Sequence, residues 1–163
     1  MKVQIVNDSM NPLPKYATDN SSGVDLMADF SLGMKEEFFE CAAYDEVSDS
    51  ILIFPGGRAL IPTNIRVNIP KGFEIQIRPR SGLALKHGVT VLNTPGTIDS
   101  DYTGQIGVIL INFSDEVFSI QQGDRIAQAV LNKVSLIEWE EVSVLTITKR
   151  GDGGFGHTGI KSV

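Results

Sequence analysis

Short runs in which apolar and polar residues alternate recur along the chain. Residues 73–78 read FEIQIR, and the segments around Val3 and Ile5 and over 142–148 follow the same period of two. This period is typical of a β-strand with one buried face, and β-branched residues favour strands as well. Residues 107–111 read GVILI, which predicts a strand that is covered on both faces.

Turn-forming residues separate these runs. Pro-Gly pairs occur at 55–56 and 95–96, and similar signals lie at 70–72 and 121–124. No long segment has the apolar spacing of an amphipathic helix, and only residues 123–131 are ambiguous between helix and strand. Many short strands at regular spacing predict an all-β domain, either a sandwich or a barrel.

Composition and charge narrow the range of functions. With 163 residues, of which 42% are hydrophobic and 21% charged, the chain resembles a single globular domain. A net charge of -6 argues against nucleic acid as a partner, because phosphate backbones bind basic surfaces. No apolar run approaches the ~20 residues that span a membrane, and the single Cys41 excludes an intrachain disulfide. We therefore expect a protein of the cytoplasm, or of the host cytoplasm if its origin is viral.

Residues 33–50 differ from the rest of the chain. Acidic and aromatic side chains crowd this segment: Glu36, Glu37, Glu40, Asp45, Glu46, Asp49, Phe38, Phe39 and Tyr44. One interpretation is a surface excursion with a small apolar anchor, and the other is an insert that binds a protein partner. The sequence leaves both open.

Several familiar motifs fail on their context. Residues 151–156 fit the pattern GxGxxG, but residues 157–163 cannot supply the helix that the dinucleotide fingerprint requires after it. His87 and His157 lack further ligands at zinc spacing. Ser81 is not surrounded by the GxSxG pattern of a nucleophile elbow. Dinucleotide, zinc and serine-hydrolase chemistry are therefore not expected.

Five stretches carry residue types that handle phosphate, metal ions and water. In chain order they are SGVDL at 22–26, RPRSGLA at 78–84, GTIDSDYTG at 96–104, GDRIAQ at 123–128 and RGDGGFGHTG at 150–159. Taken singly, each of the first four stretches is more simply explained by turns and solvated side chains. Together and in this order they resemble the five motifs of the homotrimeric dUTP diphosphatases, the dUTPases. The third and fifth stretches are the specific ones.

The resemblance implies a fold and an assembly. The expected subunit is all-β, of the distorted jelly-roll or β-clip type, in a homotrimer with active sites between subunits. Residues 1–149 would form this domain, including the insert at 33–50, and residues 150–163 a flexible glycine-rich arm that closes a site. Glycine loses more backbone freedom on ordering than other residues, so the arm is expected to order only with ligand.

The resemblance also implies a reaction, the hydrolysis of dUTP to dUMP and pyrophosphate by attack of water on the α-phosphorus. This activity keeps uracil out of DNA and supplies dUMP for dTMP synthesis. Asp99 matches the general base, and Tyr102 matches the residue beneath the deoxyribose that leaves no room for a 2′-hydroxyl. Asn93, Thr97 and Ile98 belong to a hairpin that resembles the family's uracil slot.

Five residues match the part of the family's site that faces phosphate and metal. Arg80, Ser81 and Gly82 match the phosphate-binding segment, and Gln128 matches a glutamine near the triphosphate. Asp25 matches an aspartate that approaches Mg²⁺ through a bound water. The ion itself is expected to be held mainly by substrate phosphates.

The glycine-rich arm carries the remaining matches. Arg150 is expected to clamp the γ-phosphate by a forked contact that lysine cannot make. Phe155 is expected to stack on the uracil ring. Gly156, His157 and Thr158 are expected to donate hydrogen bonds to the γ-phosphate.

Two other functions stay open at this point. One is the reaction of the related dCTP deaminases, which share the trimeric fold. The other is a dUTPase-fold protein used as a regulatory protein-binding module, with the insert at 33–50 as its docking surface.

Overall fold

The chain folds into two antiparallel β-sheets and the segments that connect them. The computed structural model describes residues 1–154. The elements are β1 (Gln4–Asn7), β2 (Val24–Met27), a 3₁₀ helix (Glu36–Phe38), β3 (Glu40–Asp45), β4 (Ser50–Asn68), β5 (Phe73–Arg78), α1 (Ser81–His87), β6 (Val89–Val91), β7 (Gly96–Ile98), β8 (Gln105–Asn112), β9 (Phe118–Gln121) and β10 (Arg125–Lys133). The six-stranded sheet has the order β1-β4-β8-β6, with β3 and β9 also paired to β4. The four-stranded sheet has the order β2-β10-β5-β7. The predicted all-β fold is confirmed.

Strand β4 is the central strand of the larger sheet and pairs with four other strands. It is 19 residues long, and it pairs with β3 and β9 near its start, with β8 in its middle and with β1 at its end. Strand β8 contains the predicted doubly apolar run. Its even-numbered residues from Ile106 to Leu110 are buried, and Ile109 on the other face is half-buried.

The inward faces of both sheets contribute to one apolar core. Leu26 and Ile77 come from the smaller sheet, and Ile61, Val108 and Leu110 from the larger one. Each such side chain stabilises the fold by ~1.5–3 kcal/mol when it is fully buried. The period-two pattern therefore places one face of each sheet in the core.

The structure resolves one ambiguity of the sequence and adds one element. Residues 125–133 form a strand, β10, because both of its edges are paired, to β2 on one side and β5 on the other. The short helix α1 has no apolar periodicity and was not predicted. It ends at Gly88, whose φ of 63° is a left-handed conformation that glycine adopts without strain.

The prediction of a strand over 142–148 is wrong for this chain on its own. Residues 134–150 contain no strand, and every apolar side chain from Leu136 to Ile147 is solvent-exposed, with Ile147 at 93%. Alternation produces a strand only when a neighbouring strand satisfies its backbone hydrogen bonds, and residues 1–133 offer this segment none.

The insert at 33–50 is an ordered hairpin. Strand β3 pairs with the first residues of β4, from Ala42 opposite Ile53 to Asp45 opposite Ser50. Phe39 and Tyr44 pack against the core, and the Tyr44 ring meets that of Phe30 edge to face. The insert therefore has the small apolar anchor that one interpretation expects.

Asp29 is a fully buried carboxylate held by hydrogen bonds. It accepts from the Met10 amide at 2.7 Å, the Ser31 hydroxyl at 2.5 Å and the Asn64 side chain at 2.6 Å. Burial raises the pKa of Asp29, but these hydrogen bonds, led by that of Ser31, outweigh burial and lower the pKa below its usual value near 3.8.

We expect Asp29→Asn to lower the free energy of unfolding at pH 7 by about 2 kcal/mol, because hydrogen bonds to a charged group are lost. The pKa of Asp29 is lower in the folded state, so its stabilisation is complete above the unfolded value near 3.8 and is lost as the pH falls through the folded value. Urea unfolding between pH 3 and 7 should therefore show a difference in the free energy of unfolding between wild type and variant, and this difference should become smaller as the pH falls.

The exposed Asp115→Asn is the matched control and should leave stability unchanged. If the difference in the free energy of unfolding between wild type and Asp29→Asn stays constant down to pH 3, the ionisation of Asp29 does not stabilise the fold.

Candidate active site

Apart from those of the glycine-rich arm, the predicted site residues lie in two groups toward opposite edges of the four-stranded sheet. Asp25 on β2 and Gln128 on β10 are register partners, and Gln128 in turn pairs with Arg78 at the end of β5. Thr97 on β7 pairs with Gln76 on β5. Strands β2 and β7 are thus three strand spacings apart, or about 14 Å at ~4.8 Å each.

The first group surrounds the carboxylate of Asp25, and we call it the Asp25 cluster: Asp25, Arg80, Arg125 and Gln128. Arg80 donates from Nε to Oδ1 at 3.2 Å, and Arg125 donates from Nη1 to Oδ2 at 3.3 Å. Gln128 approaches Oδ1 at 3.4 Å. Arg80 also donates to the Arg125 carbonyl at 2.9 Å, which fixes its guanidinium between two strands. The cluster can therefore present two arginines and an amide to an anionic ligand.

Helix α1 follows directly after Arg80. Its first residues, Ser81 and Gly82, are exposed, and no described residue outside the helix and the neighbours of Gly82 has an atom within 4 Å of the position a Cβ on Gly82 would take. Backbone N–H groups of a first helical turn have no partner within the helix. An oxyanion can therefore reach the backbone here, beside the Ser81 hydroxyl.

The second group lines a cavity of about 650 Å³, which we call the Asp99 pocket. The predicted residues among its lining are Asn93, Thr97, Ile98, Asp99 and Tyr102. Strand β7 supplies the hairpin wall, and Asp99 follows it with an exposed side chain. A Cβ at Gly96 would lie 3.3 Å from the Asn93 side-chain nitrogen. Because glycine has no Cβ, the Asn93 amide can pack against the hairpin at this position.

Tyr102 has a fixed orientation at the edge of the Asp99 pocket. Its hydroxyl donates to the Gln105 carbonyl at 2.8 Å. A Cβ at Gly104 would lie 2.6–2.9 Å from three atoms of the tyrosine side chain, which is closer than real contacts allow. The ring therefore lies across a backbone that only glycine leaves open.

Some contributors to these groups were not predicted as site residues from the sequence. Arg125 belongs to the Asp25 cluster, and Met34 and Lys35 of the insert line the Asp99 pocket. The ammonium of Lys35 lies 5.8 Å from the centre of the Phe38 ring. Strict alternation along β10 would place Arg125 and Gln128 on opposite faces, and the register shift between Arg125 and Ala127 breaks that alternation. The sequence gives no signal of this shift, and no spacing signal connects residues 34–35 with 93–102.

The arm residues are only partly described. Arg150 is exposed, and its Nε donates to the Gly153 carbonyl at 2.8 Å within a local turn. The predicted residues Phe155, Gly156, His157 and Thr158 lie outside the described residues. The structure therefore does not test their roles.

Metal-binding capacity is limited in the described part of the chain. Within residues 1–154, no group of three or more His, Cys, Asp or Glu side chains could hold an ion.

No helix of the described part of the chain is long and apolar enough to cross a bilayer.

Comparisons with known proteins converge on one family. The dUTPase family model matches residues 35–159. The chain is 52% identical to the deoxyuridine 5'-triphosphate nucleotidohydrolase of Finegoldia magna, over 98% of this chain and 99% of that protein. It is 45% identical to the protein of the same name from Fusobacterium nucleatum, over 98% and 97%.

Solved structures give the same result at the level of the fold. A mutant dUTPase of Staphylococcus bacteriophage 80alpha with dUpNHpp superposes with a TM-score of 0.77 at 21% identity, covering 98% of this chain and 99% of that one. A mutant dUTPase of phage phi11 of S. aureus, described with a structural Mg(II) ion, gives 0.69 at 19% identity, over 88% and 98%.

Proposed function

The chain belongs to the dUTPase family, and on that premise we propose that it hydrolyses dUTP to dUMP and pyrophosphate. The observation that carries the proposal is the Asp99 pocket, in which a hairpin wall, a carboxylate and a tyrosine ring meet around one cavity. A cavity of about 650 Å³ is within the usual size range for a small-molecule site. The proposed product dUMP supplies dTMP synthesis, and removal of dUTP keeps uracil out of DNA.

The hairpin around Thr97 and Ile98 is proposed to bind the uracil. Its main-chain amides and carbonyls imitate a base partner, and the Asn93 amide lies against the same wall. A close backbone fit rejects both the cytosine amino group and the thymine methyl group. Tyr102 forms the floor beneath the deoxyribose, where its fixed ring excludes a 2′-hydroxyl.

Asp99 is proposed to be the general base. Its carboxylate takes a proton from a water molecule, whose oxygen forms a bond to the α-phosphorus. The bond from that phosphorus to the oxygen that bridges it to the β-phosphate breaks, and pyrophosphate leaves with this oxygen. A general base within hydrogen-bond reach of the water accelerates such a step by about 10²–10⁴.

The Asp25 cluster and the first turn of α1 are proposed to bind the triphosphate. Arg80, Ser81, Gly82 and Gln128 supply cationic and neutral donors in one place. The proposed arm, residues 150–163, adds a forked contact from Arg150 to the γ-phosphate. In the same arm, stacking by Phe155 and donors from Gly156, His157 and Thr158 complete the closed site.

The residues of the Asp25 cluster fit a magnesium ion that is held mainly by substrate. Within residues 1–154, Asp25 belongs to no group of three or more His, Cys, Asp or Glu side chains that could hold an ion, and its oxygens already accept from two arginines. Such a carboxylate can accept a hydrogen bond from a metal-bound water but cannot enclose an ion. When bound, Mg²⁺ would neutralise phosphate charge and orient the triphosphate.

A homotrimer is proposed because one subunit separates the two groups. A nucleotide in the Asp99 pocket would have to cross the width of the sheet to reach the Asp25 cluster of the same subunit. The exposed apolar residues of 136–147 also need a covering surface. A groove of about 350 Å³ lined by Val3, Ile5, Leu13 and Tyr16 offers an apolar surface of the required kind.

The experiment that tests the function is pyrophosphate release from dUTP, UTP, dTTP and dCTP under identical conditions, with and without Mg²⁺. A strong preference for dUTP supports both the reaction and the assignment of the hairpin. Ammonia release from dCTP would favour the deaminase alternative. Inactivity on all four nucleotides would contradict the proposal and leave protein binding through the insert as the alternative.

A further inference from the structure

The pairing of β4 with β8 is interrupted directly beside the Asp99 pocket. Pro62 pairs with Gly107 and Arg66 pairs with Gln105, so the register shifts between them and residues 63–65 of β4 form a bulge. Asn64 lies in this bulge with a φ of 52°, a left-handed conformation that side chains other than glycine rarely adopt. Bulges beside sites often redirect a side chain.

The redirected amide of Asn64 joins two parts of the molecule. The residue is 2% exposed, and its Nδ2 donates to Asp29 Oδ1 at 2.6 Å. Its Oδ1 accepts a hydrogen bond from the side-chain Nε2 of Gln105. Both ends of a buried amide are therefore used, one toward the carboxylate of Asp29 and the other toward the pocket.

Gln105 continues this connection to the pocket wall. It lines the Asp99 pocket, and its carbonyl accepts the hydrogen bond from the Tyr102 hydroxyl. A hydrogen-bonded path thus runs from buried Asp29 through Asn64 and Gln105 to the tyrosine. Asp29 is itself fixed, since the Met10 amide donates to it and its own amide donates to the Pro62 carbonyl at 2.9 Å.

A bulge alone does not call for asparagine at this position. Glycine adopts a positive φ without strain, so it would serve the backbone best. Residues held in rare backbone conformations need a compensating interaction, and they occur preferentially at functional sites. Here one compensating hydrogen bond holds the buried carboxylate of Asp29, and the other leads through Gln105 toward Tyr102.

We propose that Asn64 is a positioning residue that, through Gln105, holds Tyr102 where it rejects a ribose 2′-hydroxyl. The inference rests on the proposed function, which assigns the tyrosine to the sugar of dUTP. Without the amide, the carbonyl of Gln105 gains freedom to shift. The tyrosine hydroxyl shifts with it, and the gap beneath the sugar widens.

The test compares Asn64→Gly with Asn112→Gly. Glycine preserves the positive φ at position 64 and removes only the amide. Asn112 is a suitable control because it is also fully buried and its side chain donates to the Ile53 and Glu116 carbonyls, at the other end of β8.

We expect Asn64→Gly to reduce the ratio of kcat/KM for dUTP to that for UTP about 10-fold, since small displacements of positioning groups have large kinetic effects. Asn112→Gly should lower Tm and leave the ratio unchanged.

A second measurement does not depend on activity. The chain has three tyrosines, so the ring signals of a tyrosine-labelled sample can be assigned by substitution. The signals of Tyr102 should shift in Asn64→Gly and in Gln105→Ala, and stay in place in Asn112→Gly. Gln105 is exposed at the start of β8, so its variant is expected to fold even where the variant at 64 does not.

The outcomes separate the two proposals. An unchanged substrate ratio together with unchanged Tyr102 signals overturns the positioning role of Asn64. A wild-type protein that does not prefer dUTP to UTP contradicts the proposed function instead. In that case a shift of the Tyr102 signals still supports the path through Asn64 and Gln105, because this measurement needs no substrate.

Discussion

Replacing Asp99 by asparagine is expected to lower kcat for dUTP hydrolysis by about 10²–10⁴, the usual contribution of a general base. The amide keeps the size and hydrogen-bonding capacity of the side chain but cannot take a proton from water. Nucleotide binding should change little, because the hairpin, Tyr102 and the Asp25 cluster stay intact. Single-turnover pyrophosphate release, combined with calorimetric binding of a non-hydrolysable dUTP analogue, separates the two effects.

The matched control is Asp101→Asn, two residues further along the same loop. Asp101 is exposed and does not line the Asp99 pocket, so its variant should retain kcat. If both variants lose turnover equally, the loop as a whole is sensitive and the assignment of the base to Asp99 is not supported. If Asp99→Asn retains wild-type turnover, Asp99 is not the base.

Replacing Gly104 by alanine is expected to lower kcat/KM for dUTP by about 10², the scale of a displacement near 1 Å in a reacting complex. The added Cβ would lie 2.6 Å from the Tyr102 hydroxyl oxygen and 2.7 Å from Cζ, so the ring must move. The ring is the proposed floor of the sugar site. The preference for dUTP over UTP should fall with activity, and the same nucleotide assay measures both.

A double-mutant cycle makes this expectation specific. The three atoms nearest to the added Cβ all belong to Tyr102. In a Tyr102→Ala background, Gly104→Ala should therefore have little further effect on kcat/KM, because the clash is gone. If the two effects simply add, Gly104 acts through the backbone of the loop and not through the ring.

The sequence predicts the strands whose partners lie nearby in the same subunit. The alternation in residues 73–78 is sufficient for β5, because β10 and β7 flank it and its apolar face meets the core. The same pattern at 142–148 gives no strand, since nothing within the described subunit completes its hydrogen bonds. A local pattern specifies which face of a segment is apolar but not whether a partner strand is present.

The site residues divide along a similar line. Asp25, Arg80 and Gln128 are predicted by motif, and the structure brings them together because β2, β10 and the end of β5 are neighbours. Lys35 and Asn64 were not predicted as site residues. Their positions depend on the insert hairpin and on a register shift in β4, and neither leaves a periodic signal in the sequence.

The pairing of β2 with β10 has a consequence for how the protein folds. Asp25 and Gln128 are 103 residues apart in the chain, yet they are neighbours in one sheet. Contacts between such distant segments are costly to form in loop-closure entropy, and domains rich in them fold in milliseconds to seconds rather than microseconds. During synthesis, the Asp25 cluster can form only after Gln128 has emerged from the ribosome. Asp25 is therefore synthesised long before its partner on β10. The hairpin between β3 and β4 can form earlier, because its two strands are close in sequence.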